Sequence, residues 1–268
     1  MVSEATERSR EALVGASRIV VKVGSSSISG VNRPQIESLV DTIAKLRQRG
    51  REVVLVSSGA IATGLPFLNL DSSPDDLPTQ QAVAAVGQNI LMNRYQRSLD
   101  RHELISAQIL LTAADIENSK HRRNAHNALE RLLGLGVLPI VNENDTVATR
   151  EIRFGDNDRL ASLVARLVNA DALVLLSDID ALCTAPPGHP GSTRIEHVAS
   201  GDPLEGVEFG SSQSGVGTGG AQTKADAARY AAAGGTVAIV TATSLFERAM
   251  DGDDVGTLFA ASALAHVQ

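Results

Sequence analysis

Residues 137–158 read VLPIVNENDTVATREIRFGDND. The stretch opens apolar with Val137, Leu138, Ile140 and Val141, then turns abruptly polar at Asn142, Glu143, Asn144 and Asp145. A second polar cluster follows at Gly155, Asp156, Asn157 and Asp158. An apolar run that stops at a polar cluster describes a buried strand delivering side chains to the end of a sheet. Residues 146–154 alternate loosely, which suits a hairpin that folds back and joins the two clusters. The joined clusters would form an acidic, amide-rich pocket. Such a pocket suits a small ligand with an ammonium group, since Asp accepts from it and Asn both accepts and donates. The plainer alternative is that Asp156 to Asp158 only cap the helix beginning there.

The same apolar-to-polar break recurs on both sides of this stretch. Residues 18–23 (RIVVKV) run into Gly24-Ser25-Ser26-Ser27. Residues 52–56 (EVVLV) run into Ser57-Ser58-Gly59, and residues 172–176 (ALVLL) run into Ser177-Asp178. Further strands are expected at 104–111, 236–240 and 256–259. Between them lie helical patterns at 34–49, 79–99, 125–133, 158–168 and 221–233, the first closed by Gly50. Strands apolar on both faces, alternating with helices, define an α/β domain with a mostly parallel sheet. Ligands of such sheets sit at the carboxyl ends of the strands, where these polar breaks fall. Residues 1–17 are expected to be a tail or short helix, and residues 180–208, rich in Pro and Gly, an excursion from the core. The rest, 18–268, reads as one domain with two lobes, about 18–170 and 171–268.

Composition narrows the class of function. The chain has 268 residues, a net charge of −7, 43% hydrophobic and 3% aromatic residues, and no Trp. The core is therefore aliphatic, and the acidic balance argues against a general nucleic-acid binder. One cysteine, Cys183, excludes an intrachain disulfide, and nothing has the spacing of a zinc site. No signal core opens the chain and no apolar run approaches the roughly 18 residues of a membrane span. A soluble, cytoplasmic protein without membrane or nucleic-acid partners is expected.

Two lysines sit beside glycine-rich loops. Lys22 interrupts an apolar strand two residues before Gly24, and such a lysine is costly to bury unless an anion meets it. Lys224 lies just inside the helix that follows 211–220 (SSQSGVGTGG). Small residues next to a helix N-terminus expose N–H groups to phosphate. Neither loop is a P-loop, and Gly215, Gly217 and Gly220 match G-x-G-x-x-G without the strand that should precede it. Each lysine also has an ordinary alternative: an edge-strand lysine reaching water for Lys22, an exposed helix lysine for Lys224. Two lysines converging from opposite ends of the chain would suit phosphoryl transfer, which needs positive charge around the transferring group. Ser57 and Ser58 read equally as turn residues, and the histidines show no ligand spacing.

Taken together, VVKVGSSS (20–27), VSSGAIATG (56–64), AAVGQ (84–88), VNENDTVAT (141–149), FGDND (154–158), LLSDIDAL (175–182), GVGTGGAQTK (215–224) and VGTLF (255–259) resemble the amino acid kinase family in motif and order. NEND followed by GDND resembles the branch acting on L-glutamate. The resemblance implies an αβα sandwich, with the first lobe on the acceptor side and the second on the nucleotide side. It also implies ATP-dependent phosphorylation of the L-glutamate side-chain carboxylate, the first step of proline synthesis. By motif position, Lys22 and Lys224 would neutralise the transferring phosphoryl group, and Asp158 would orient them. Ser58, Asn142, Asp145, Asp156 and Asn157 would hold glutamate. Gly24, Ser25, Ser177, Asp178, Thr218, Gly219, Gly220, Ala221, Gln222, Thr223 and the two lysines would hold ATP, which brings Mg²⁺ with it; no separate metal site is implied. Family members are generally oligomers and often inhibited by proline, so a dimer or tetramer and a proline response are expected. Many carry a C-terminal PUA domain; the chain ends soon after Phe259 and none is expected here.

Overall fold

The computed structural model describes residues 3–147, 157–186, 189–207 and 220–263. In chain order the elements are α1 (Glu4–Gly15), β1 (Arg18–Val23), α2 (Ser25–Ile28), α3 (Gln35–Gln48), β2 (Glu52–Ser57), α4 (Ala60–Gly64), α5 (Leu77–Asp100) and β3 (Ser106–Leu111). Then come α6 (Ala113–Glu117), α7 (Ser119–Gly134), β4 (Leu138–Glu143), α8 (Asn157–Leu167), β5 (Ala172–Ser177), β6 (His197–Val198), α9 (Ala221–Ala233), β7 (Val237–Ala242), α10 (Phe246–Met250) and β8 (Thr257–Phe259).

One eight-stranded sheet runs in the order β3-β4-β2-β1-β5-β7-β8-β6. Among these described strands every pairing is parallel except β7 with β8. The chain builds one half of the sheet from β1 outward through β2, β4 and β3. It then returns to the other side of β1 to begin the second half with β5. The switch point of the sheet therefore falls at β1 and β5, and a crevice opens at the carboxyl ends of that pair.

Because strand side chains alternate, β1 feeds two cores. Ile19, Val21 and Val23 pack with α1, α3, α5 and α10 on one face. Val20 packs with α7, α8 and α9 on the other. This is the expected αβα sandwich. The alternation also decides the site. Lys22 shares the face of Val20 and points to α8 and α9. Ser57 follows Val53 and Leu55, and Asn142 follows Leu138 and Ile140, so both turn to the face covered by α5.

Residues 4–15, expected as a tail or short helix, form α1, which docks. Leu13 is fully buried in the core. Ser9 Oγ meets His197 Nε2 at 3.0 Å, and Arg10 pairs with Asp254 at 2.8 Å. Within the excursion after β5, the two-residue β6 extends the sheet edge by pairing with β8. The hairpin expected at 146–154 falls mostly outside the described residues.

Candidate functional site

Asp158 is the hub. It lies in the first turn of α8, where the helix dipole favours a carboxylate, and it is fully buried. Lys22 Nζ, from the carboxyl end of β1, stands 2.6 Å from Oδ1, and Lys224 Nζ, from the first turn of α9, stands 3.1 Å from Oδ2. Thr223 Oγ1 donates to the same Oδ2 at 3.1 Å. Both lysines are buried, and β1 is a central strand, so neither ordinary alternative holds: Lys22 is not on an edge and Lys224 is not exposed. Two ammonium groups on one carboxylate leave the trio with a formal charge of +1. A buried, hydrogen-bonded positive excess at the mouth of a parallel sheet is built to receive an anion.

Toward β5 and α9, Gly24 follows β1; a Cβ there would lie 3.8 Å from Lys22 Nζ, so its backbone runs beside the ammonium group. Ser25 opens α2. Ser177 ends β5, beside β1, and its Oγ donates to Asp178 at 3.0 Å. Gly220 stands at the N-cap of α9 without a side-chain cap. The first N–H groups of α9, from Ala221 to Thr223, thus open beside Lys224. The Gln222 side chain is engaged along the helix by Asp226 at 3.0 Å, so what it offers the site is its N–H. Thr218 and Gly219 lie outside the described residues.

Next to the trio, toward β2 and β4, three amides and a serine form a chain. Glu143 N–H donates to Asn142 Oδ1 at 2.9 Å, and Asn142 Nδ2 donates to Gln88 Oε1 at 2.6 Å. Asn157 Nδ2 reaches Asn142 Oδ1 at 3.2 Å and Ser58 Oγ at 3.0 Å. Asn157 is the residue before Asp158, so the amide chain abuts the lysine trio. Beside it, Gln88, Glu143, Asn144, Asp145 and Thr146 help line a cavity of about 260 Å³. Burial raises the Asp145 carboxyl from 3.8 to about 6. The structure thus joins Ser58 and Asn142 through Asn157 and sets Asp145 on the adjoining cavity wall. Asp156 lies outside the described residues.

Behind the chain stands a layer to which sequence reasoning assigned no role. Ser57 Oγ donates to the Ser58 carbonyl at 3.0 Å and meets Tyr95 Oη at 2.8 Å. With the serine proton committed, the phenol is the donor. Burial pushes the Tyr95 phenol above its ordinary pKa, so that donor stays protonated. Gln88 and Tyr95 reach the site because α4 and α5 cross at backbone contact through Gly64 and Gly87. A Cβ at Gly87 would lie 1.8 Å from the Ala60 carbonyl oxygen. The glycine in AAVGQ was the available signal, but its partner, Gly64, is 23 residues away on another helix.

A mostly parallel αβα sheet whose switch point carries two lysines on one buried aspartate is an arrangement suited to phosphoryl transfer. The model of the amino acid kinase family matches residues 17–242, and the chain belongs to that family. It is 65% identical to the glutamate 5-kinase of Clavibacter michiganensis subsp. michiganensis over 94% of this chain and 97% of the relative. It is also 65% identical to the glutamate 5-kinase of Leifsonia xyli subsp. xyli over 91% of each. Among solved structures it resembles carbamate kinase from Giardia lamblia bound to AMP-PNP, with a TM-score of 0.66 over 93% of this chain and all of the other. At 18% identity that likeness speaks to fold alone.

Proposed function

We propose that this chain is a kinase transferring the terminal phosphoryl group of ATP to the side-chain carboxylate of L-glutamate. The product is L-glutamyl 5-phosphate, and the step opens proline synthesis. The grip of Asp158 on both Lys22 and Lys224, abutting an amide chain, carries the reading; the high identity to glutamate 5-kinases names the acceptor. A carboxylate oxygen attacks the γ-phosphorus in line while the bond to the β–γ bridging oxygen breaks, and ADP leaves with that electron pair. The acceptor is already an anion, so no general base is needed, and catalysis is alignment with charge stabilisation. Lys22 and Lys224 neutralise the transferring group, and Asp158 holds them in place. Ser58, Asn142, Asp145, Asp156 and Asn157 hold glutamate. Gly24, Ser25, Ser177, Asp178 and residues 218–224 hold the nucleotide, which enters as its Mg²⁺ complex.

Trapping the acyl phosphate as hydroxamate tests the reaction. L-Glutamate should give hydroxamate, and aspartate, N-acetylglutamate and bicarbonate should not. Turnover confined to another acceptor would discard the substrate and keep the reaction class. The reading also carries a cytoplasmic location, a dimer or tetramer, and proline as an inhibitor; light scattering and a proline titration address the last two.

Asp145 adds a pH signature. It must be ionised to accept the α-ammonium of glutamate, and burial sets its titration near pH 6 in the free enzyme. Protonation removes the acceptor, so kcat/KM for glutamate should fall about tenfold per pH unit below that point. Asp145→Asn should raise KM at neutral pH and erase the break. A break that persists in the variant would assign the titration to another group.

A further inference from the structure

The acceptor-side amides leave two atoms over, and their orientation is not arbitrary. A backbone N–H can only donate, so Glu143 N–H fixes which end of the Asn142 amide is oxygen. Asn142 Nδ2 must then face Gln88 Oε1, which turns Gln88 Nε2 away. The same Asn142 oxygen receives Asn157 Nδ2, which leaves Asn157 Oδ1. Turning either amide over would set two donors or two acceptors face to face. Gln88 Nε2 and Asn157 Oδ1 are both buried and meet no hydrogen-bond partner among the described residues. Gln88 is 8% exposed and lines the same cavity as Asp145.

A buried donor left without an acceptor costs free energy until one arrives, and a carboxylate is the strongest acceptor available to it. The geometry points to Gln88 as a specificity-determining residue of the acceptor site, its Nε2 donating to the α-carboxylate of the substrate. This assignment rests on the glutamate-kinase reading. The side-chain carboxylate has to face Lys22 and Lys224. The ammonium and the α-carboxylate share one carbon, so a donor on the cavity wall of the ammonium acceptor, Asp145, meets the α-carboxylate. Asn157 Oδ1, next to the lysine trio in sequence, is left as a second acceptor for the ammonium group. Selection for a free α-amino acid would thus come from a leftover donor matched with acceptors for the ammonium.

Gln88→Glu tests this with one atom. It keeps an oxygen for Asn142 Nδ2 and replaces the spare donor with an oxygen. The assay compares L-glutamate with L-isoglutamine, whose α-carboxylate is a carboxamide, using the full chain. The wild type should prefer glutamate. In Gln88→Glu the KM for glutamate should rise roughly 10- to 100-fold. The preference should shift toward isoglutamine, whose amide donates to the new carboxylate, and the KM for ATP should hold. Gln88→Met, which has neither donor nor charge, should lose discrimination without reversing it, and it serves if the acidic variant does not fold. Equal loss for both acceptors in both variants would mean that Gln88 only props Asn142, and the assignment would be wrong. Wild-type turnover of glutamate is the control: without it the reaction reading falls and takes this assignment along; with it and an unchanged preference, only this assignment falls.

Discussion

Lys22→Met should lower kcat for glutamate phosphorylation by roughly three orders of magnitude, while the protein should stay folded and melt within a few degrees of the wild type. The rate loss is the removal of one of two preorganised positive charges from a dry site, where single donors and cations contribute about 10²- to 10⁵-fold. The mild effect on stability follows from the 2:1 arrangement. Asp158 holds both Lys22 and Lys224, so the variant still has a paired buried carboxylate. The trio passes from a charge of +1 to neutral. Asp158→Asn is the contrasting case. It leaves two buried ammonium groups without their counter-ion, and breaking a buried pair in this way costs about 3–5 kcal/mol. That variant should lose both turnover and thermal stability. Hydroxamate formation and calorimetry on the two variants separate the effects. Near-full turnover by Lys22→Met would remove Lys22 from the chemistry.

The elements that were easiest to read are those with both faces buried. RIVVKV, EVVLV and ALVLL sit at the centre of the sheet, so every position is constrained and the strands stand out as apolar runs. The helix over 221–233 was legible from its small residues after a glycine loop. The first turns of α7 were not. Residues 119–124 (SKHRRN) carry no apolar stripe, and only Leu129 and Leu133 of this helix are buried. Its start was written instead in caps: Thr112 and Asp115 form a capping box for α6, and Asn118 caps α7. The strand β6 has two residues and no period to detect; it exists because the end of β8 offers it an edge.

The site divides along the same line. Lys22, Asp158 and Lys224 each carry a local sign, a charge where burial or a helix start makes it unusual, and the structure joins them. Gln88 carries none. It is a glutamine inside a helix, 54 residues from its partner Asn142. Its place depends on how closely two helices cross, which periodicity does not encode. Tyr95 is likewise an aromatic at a core position until Ser57 is seen to face it.

That crossing predicts a second large effect, on structure and turnover together. Gly87→Ala should lower stability by about 3 kcal/mol or more and cut kcat/KM for glutamate by roughly 100-fold. The added Cβ would stand 1.8 Å from the Ala60 carbonyl oxygen and 2.7 Å from Gly64 N. Both are backbone atoms, so no side chain can turn aside and the helices must part by about 1 Å or more. Parting them displaces the two sides of the proposed acceptor site relative to each other. α4 follows directly on Ser58 and Gly59, and Gly59 has φ +94°, where a Cβ would lie 3.5 Å from Ile28 Cδ1 and 3.6 Å from Ser25 Cα. α5 carries Gln88 and Tyr95. β5, one of the elements proposed to hold the nucleotide, lies on the other side of β1 from β2 and β4, so the KM for ATP should change little. Gly134→Ala is the matching control. It too sits in a helix, at the end of α7, but a Cβ there meets nothing within 4 Å. The helix gains from losing a glycine, so this variant should be neutral or slightly more stable. Paired melting curves and glutamate kinetics decide the matter. If Gly87→Ala behaves like Gly134→Ala, the two helices do not touch at Gly87, and the path by which Gln88 and Tyr95 reach the acceptor site is lost with that contact.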